Sequence, residues 1–198
     1  MIYFFRTPFM FFPRLVTISV LLLMVGCHSR TEMKSEVRCA DGSGIEMSVT
    51  YLENRRADPI AGSTDKSDYV TSVRRSGREA KIQGWLLSEG AHCGKTAFFL
   101  GGEGDQFGVN PQLFSWDGAR IKRVSESGPV EKFAVSLDER YAALMFLREK
   151  IVFVEIQTGK TVAEEKISGT FDRLDWSGKK LLLSGPSGDL SILPRLAQ

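Results

Sequence analysis

The segment FAVSLDERYAALMF, which begins at Phe133, returns about 41 residues later as LDWSGKKLLLSG from Leu174. Ahead of each copy lies a second matching pair, LFSWDGARIKRV from Leu113 and VFVEIQTGKTV from Val152. A third version of the apolar pair reads IQGWLLSEGAHCGKTAFFL from Ile82, with an insertion before Lys95. Each copy is made of short runs, alternating or apolar, between turns of Gly, Asp, Asn and Ser, the pattern of antiparallel strands. A unit of about 40 residues with four short strands cannot bury its apolar faces alone, so such units stack on one another.

Read this way, the chain is all-β. Strands are expected near 45–53, 68–75, 79–88, 95–101, 112–116, 119–125, 131–137, 141–147, 150–156, 161–167, 171–176, 180–184 and 188–193. Asp117-Gly118 predicts a tight hairpin turn, because Asp-Gly tolerates the positive φ of a primed turn. Residues 54–67, with a Pro and several small polar residues, predict a loop. The turn Ser136-x-Asp138-x-x-Tyr141-x-Ala143 and the period near 40 resemble β-propeller blades of the WD-repeat or quinoprotein type, over about 110 residues from Ile82 to Leu193. The Gly-His and Trp-Asp dipeptides of true WD repeats are missing. The resemblance implies fewer than three blades, the last without its outer strand, where a ring usually needs at least four. A small ring, an incomplete propeller and an antiparallel β-sandwich all remain open.

The first 26 residues have a different character. They contain Arg6 and Arg14, no acidic residue, and an apolar run of about eleven residues from Leu15 to Val25. A membrane-spanning helix needs roughly 20, so this is the signature of an export signal. Its end, Leu23-Met24-Val25-Gly26-Cys27, resembles the lipobox of bacterial lipoproteins, with Met24 where that family favours Leu. The resemblance implies cleavage before Cys27, acylation of that cysteine, and a membrane anchor made of several chains, which hold where one does not. His28, in place of the Asp that retains such proteins in the inner membrane, favours an outer-membrane anchor facing the periplasm. Met10 is an alternative start to Met1. Residues 27–36 then form the lipidated N-terminus and a polar tether, and 37–198 a single domain with repeats from about 82 to 193.

Cleavage leaves about 172 residues (198 minus 26), enough for one core. It also removes two arginines, so 24 basic residues face 24 acidic ones and the net charge falls to zero. Nucleic-acid binding needs clustered positive charge. The one short basic run, Arg74, Arg75, Arg78 and Lys81, is broken by Glu79 and preceded by Asp65 and Asp68, so it reads as a solvated strand. Lipidation consumes Cys27. The remaining Cys39 and Cys93 predict a disulfide in an oxidising compartment, closing a loop of about 55 residues. Loop entropy assigns roughly 4 kcal/mol to such a link.

Reactive constellations are scarce. The stretch Glu89-Gly90-Ala91-His92-Cys93-Gly94-Lys95-Thr96 approaches a phosphate-binding loop, but Glu89 stands where the first glycine must let backbone near phosphate. A Ser-His-Asp triad would have to use His92, and no G-x-S-x-G elbow exists. The glycine-rich 101–110 stretch offers Glu103 and Asp105, too few oxygens for calcium. Asp117, Asp138 and Asp175 read as turn residues, and Trp85, Trp116 and Trp176 as packing. No catalytic residue, metal, cofactor or nucleotide is expected. The function expected is a non-enzymatic, protein-binding lipoprotein facing the periplasm. Its partner would be an envelope or effector protein, with Phe107, Arg55 and Arg56 as anchors in exposed loops. Two readings compete with it: a periplasmic immunity or inhibitor lipoprotein that neutralises a toxin or cell-wall hydrolase, and an envelope hydrolase. Metabolic labelling with a fatty acid is expected to mark the wild-type chain and to leave Cys27→Ser unmarked; equal labelling of both removes the anchor.

Overall fold

The computed structural model describes residues 28–39, 41–56, 64–103, 107–125 and 128–196, and contains no helix among them. The side chains and cores described below belong to one compact unit, Arg30–Leu52 with Ser67–Gln198. Fifteen strands are described. The first eight are β1 (His28–Arg38), β2 (Gly44–Arg56), β3 (Thr64–Arg75), β4 (Arg78–Leu86), β5 (His92–Cys93), β6 (Ala97–Glu103), β7 (Gln112–Trp116) and β8 (Ile121–Arg123). They form one sheet in the order β1-β2-β3-β4-β6-β7-β8, with β5 paired to β6. Strands β9 (Lys132–Val135), β10 (Tyr141–Phe146), β11 (Lys150–Glu155) and β12 (Lys160–Lys166) make a second sheet, and β13 (Arg173–Ser177), β14 (Lys180–Gly185) and β15 (Gly188–Ile192) a third.

Strand β4 is divided between two partners. Its first half, Arg78–Gln83, pairs antiparallel with β3, and its second, Gly84–Leu86, with β6. Ser76 and Gly77, both at positive φ, form the two-residue turn that feeds it. At the changeover only glycine fits, since a Cβ on Gly84 would collide with the carbonyl of Gly102. Thr71, fully buried in β3, holds the bend: its hydroxyl donates to the Gly84 carbonyl (2.9 Å) and accepts from the Leu86 N–H (3.2 Å). The sheet therefore curls back on itself. Val37, Ile45, Met47 and Val73 from its first strands pack against Phe99, Phe114 and Trp116 from β6 and β7. The expected disulfide lies in this core, with Cys39 and Cys93 bonded at 1.97 Å and their Cα atoms 4.7 Å apart.

From β4 onward the chain repeats a meander. Strands β4, β6, β7 and β8 pair in sequence, then β9 to β12, then β13 to β15, antiparallel throughout. These propeller-like units stack face to face. Phe98, Leu100 and Leu113 of the first meet Val135, Ala142, Leu144 and Val154 of the second. The second sheet's opposite face, Ala143, Met145, Ile151 and Phe153, meets Leu174, Leu181 and Leu183 of the third. Double coverage explains why β10 is buried along its whole length. The repeat is thus three-dimensional: Phe133 pairs with Leu144 and Leu174 with Leu183, and each pair faces the sheet before it. The sheets do not close into a ring among the described residues. The free face of the third carries Arg173, Asp175, Ser177, Lys180, Leu182, Ser184, Asp189 and Ser191, a surface that water can solvate.

Three local expectations are corrected. The polar tether is replaced by strand β1, in which the side chains of residues 30–36 and 38 are exposed and which gives no apolar alternation to read. Strand takes both ends of the expected loop 54–67, because β2 continues through Arg55 and Arg56 and β3 starts at Thr64; residues 57–63 lie outside the described residues. Asp117-Gly118 does not form a two-residue turn. Trp116 pairs with Ile121, and Asp117 Oδ1 accepts the N–H groups of Ala119 and Arg120 (both 2.9 Å), which stabilises a four-residue loop instead. Substituting Thr71→Val keeps the shape but orphans the Gly84 carbonyl and the Leu86 N–H, so a loss of about 2–3 kcal/mol is expected in urea unfolding, with Thr71→Ser close to wild type.

Candidate functional site

The turn between β9 and β10 is held by its own polar residues. Ser136 Oγ donates to Asp138 Oδ1 (2.6 Å) and accepts from the Tyr141 N–H (2.9 Å), while Asp138 Oδ1 also accepts from the Arg140 N–H (3.2 Å). The Ser136 hydroxyl, then the Arg140 N–H, keep the Asp138 carboxyl below its ordinary range, opposed by some burial. Glu139, at φ 53°, turns the other way. Its carboxylate accepts from the Lys95 N–H (2.7 Å) and the Thr96 N–H (3.1 Å).

These commitments leave Leu137 pointing into solvent at 83% exposure. Across from it lie the β13–β14 turn, Gly178-Lys179, and the segment Leu193–Leu196 that follows β15. Together they border an open groove of about 910 Å³. Trp176 forms part of its lining, fixed by its indole N–H donating to the Ala134 carbonyl (3.2 Å), which ties β13 to β9. Leu193 is 63% exposed. Arg140 is occupied: it lies 5.1 Å from the Tyr141 ring centre and 3.9 Å from Glu155. Lys179 and Arg195 have no ion pair among the described residues, and Asp138 is spent on its own turn. The groove thus combines exposed leucine, an indole and two cations without an ion pair among the described residues. That set suits an apolar side chain flanked by carboxylates.

The sequence-predicted anchors lie elsewhere. Cys27 is outside the described residues. Arg55 and Arg56 belong to the end of β2, not to a loop, and their side chains are likewise outside the described residues. Phe107 is 42% exposed but is packed, with its ring 5.1 Å from Trp85 and 5.4 Å from Tyr69, which in turn stacks on Tyr51 at 4.9 Å. The Trp85 ring also lies close against Gly102, where a Cβ would collide with it. The near-phosphate loop is filled from within, because the Glu139 carboxylate takes the two backbone N–H groups of Lys95 and Thr96. Burial pushes His92 below its ordinary value, with Glu139 pulling it partly back. Among the described residues no group of three or more His, Cys, Asp or Glu gathers to hold a metal ion. Sequence reading missed Leu137, Lys179, Leu193 and Arg195. The available signal was Leu137 itself, an apolar residue inside a turn whose neighbours are polar.

No family model and no curated protein matches this chain. Among solved structures it is similar to the acylaminoacyl peptidase of Pyrococcus horikoshii, at 12% identity and a TM-score of 0.42, covering 75% of this chain and 27% of that one. It is also similar to a fragment of HIRA, at 11% identity and a TM-score of 0.44, covering 82% of this chain and 52% of that one. The chain spans about a quarter and about half of those two structures. Likeness at this level carries no activity across, and the architecture rests on the sheets described above. Substituting Glu139→Ala is expected to cost about 1–3 kcal/mol and to speed hydrogen exchange at the Lys95 and Thr96 amides, leaving β10 and β11 amides as slow as before.

Proposed function

We propose that this chain is an exported lipoprotein, cut before Cys27 and anchored by lipid to the outer membrane facing the periplasm, whose domain binds another protein without chemically altering it. The lipobox-like end of the first 26 residues supports the anchor. The groove supports the binding. Leu137 and Leu193 stand 83% and 63% exposed beside a half-buried Trp176, although burying one leucine is worth about 1.5–3 kcal/mol. Exposed apolar groups gathered around a concave surface mark an interaction site. Protein interfaces draw their affinity from a few such anchors, and Lys179 and Arg195, which have no ion pair among the described residues, add steering toward an acidic partner surface. In this reading the groove, rather than Phe107, Arg55 and Arg56, is the binding surface.

A photoreactive residue at Leu137 of the full chain, activated in intact cells, is expected to give a discrete protein adduct. The same residue at Leu182, exposed on the solvated face of the third sheet, is expected to give none. Reversing both cations, Lys179→Glu with Arg195→Glu, is expected to reduce the Leu137 adduct at least tenfold. The same adducts from both positions, or an adduct indifferent to charge reversal, removes the groove as the site.

A further inference from the structure

The third unit is one strand short of the second. In the second sheet β12 covers the outer edge of β11, pairing along its length with one register shift at Phe153/Val154. In the third, β15 holds the place of β11: Leu190 pairs with Leu183 as Val152 pairs with Leu144. No strand lies beyond β15 among the described residues. All of its residues but Ile192 are exposed.

The register identifies the free groups. The Ser184 carbonyl accepts from Asp172 N–H on the β13 side (2.9 Å), so Leu183 and Gly185 bond the other way, toward β15. Ladder bonds alternate along a strand, so Leu190 and Ile192 bond inward to β14. Asp189 and Ser191 then present their N–H and C=O groups to the open edge. Among the described residues the fourth strand of the second sheet, β12, has no counterpart in the third. Its Val162 and Ala163 are half-buried and pack on the same core as Leu183 and Ile192. Glu165 is half-buried on the same side of β12, and neither it nor Asp189 has an ion pair among the described residues. The slot therefore has an apolar floor, a hydrogen-bonding wall, and carboxylates at both faces.

We propose that β15 is a docking edge that accepts an extended segment of a partner protein as a fourth strand. Its alternating side chains are apolar toward Leu190, Val162 and Ala163, and basic toward Asp189. Added strands take affinity from main-chain bonds and specificity from alternate side chains, and the second unit shows the same place occupied by β12. The five-residue length of β15 and the Pro194 that follows limit long edge-to-edge pairing between copies. The proposal is independent of the anchor and of the groove.

The probe is a capped seven-residue peptide of alternating valine and lysine, added to the purified full chain. Binding is expected to slow hydrogen exchange at the Asp189 and Ser191 amides. Ser191→Pro, which removes one outward N–H, is expected to weaken binding at least tenfold, Ser191→Ala to leave it unchanged, and Asp189→Lys to weaken it several-fold. A peptide with glutamate in place of lysine is expected not to bind. Saturating peptide without protection at β15 overturns the proposal, as does full affinity in Ser191→Pro or a loss that Ser191→Ala shares. Should Ser191→Pro fail to fold, the exchange pattern of the wild-type chain and the Asp189→Lys variant decide.

Discussion

One hydroxyl group makes the rest of the packing possible. Strand β4 must pair with β3 for half its length and with β6 for the remainder, and a strand that changes partners leaves backbone groups facing neither. Buried peptide groups without partners are costly. Thr71 supplies both missing bonds from a single fully buried side chain. Because the bend is satisfied, the first strands lie over β6 and β7 and shield a face that would otherwise carry Phe99, Phe114 and Trp116 into water. The opposite face of β6 and β7 is then free to receive the second sheet, and that sheet the third.

Much of this was legible because strand periodicity is a local signal. Thirteen expected strands correspond to thirteen of the fifteen described, the exceptions being β1 and the two-residue β5. The repeat was legible because inward residues in corresponding strands face corresponding neighbours: Phe133 and Leu174 are apolar for the same reason. Strand β1 was not, since His28–Arg38 joins the sheet through its backbone and, among its described side chains, Val37 alone reaches the core, with Cys39 following. The Cys39–Cys93 pair needed no geometry, only two cysteines left over in a chain whose first 26 residues read as an export signal. Phe107 is exposed, as its glycine-rich neighbourhood suggests, but its ring contacts with Trp85 and Tyr69 come from strands far away in sequence and were not legible.

The groove follows a different logic and lay beyond sequence reading. No residue in it is unusual by itself. Ser136, Asp138 and Glu139 are polar residues in a turn, and each spends its side chain on a backbone N–H or on its neighbour. What remains pointing outward is set by those bonds. Leu137 is exposed because everything around it is committed, and the cations that face it come from a turn and a terminal segment about 40 to 60 residues later. Only the folded chain shows that charge and apolar surface meet there.

The third sheet is held through one face, and its other face is polar. A layer attached on a single side has fewer apolar contacts to lose than one clasped on both, so its opening free energy lies below that of the whole domain. The disulfide offers it no restraint, because Cys39 and Cys93 both precede β6. Thermal fluctuation will therefore peel β13 to β15 away as a unit before the curled sheet loosens. Each such excursion bares Met145, Ile151 and Phe153 to solvent. The sheet that carries the proposed docking edge is then also where degradation would begin.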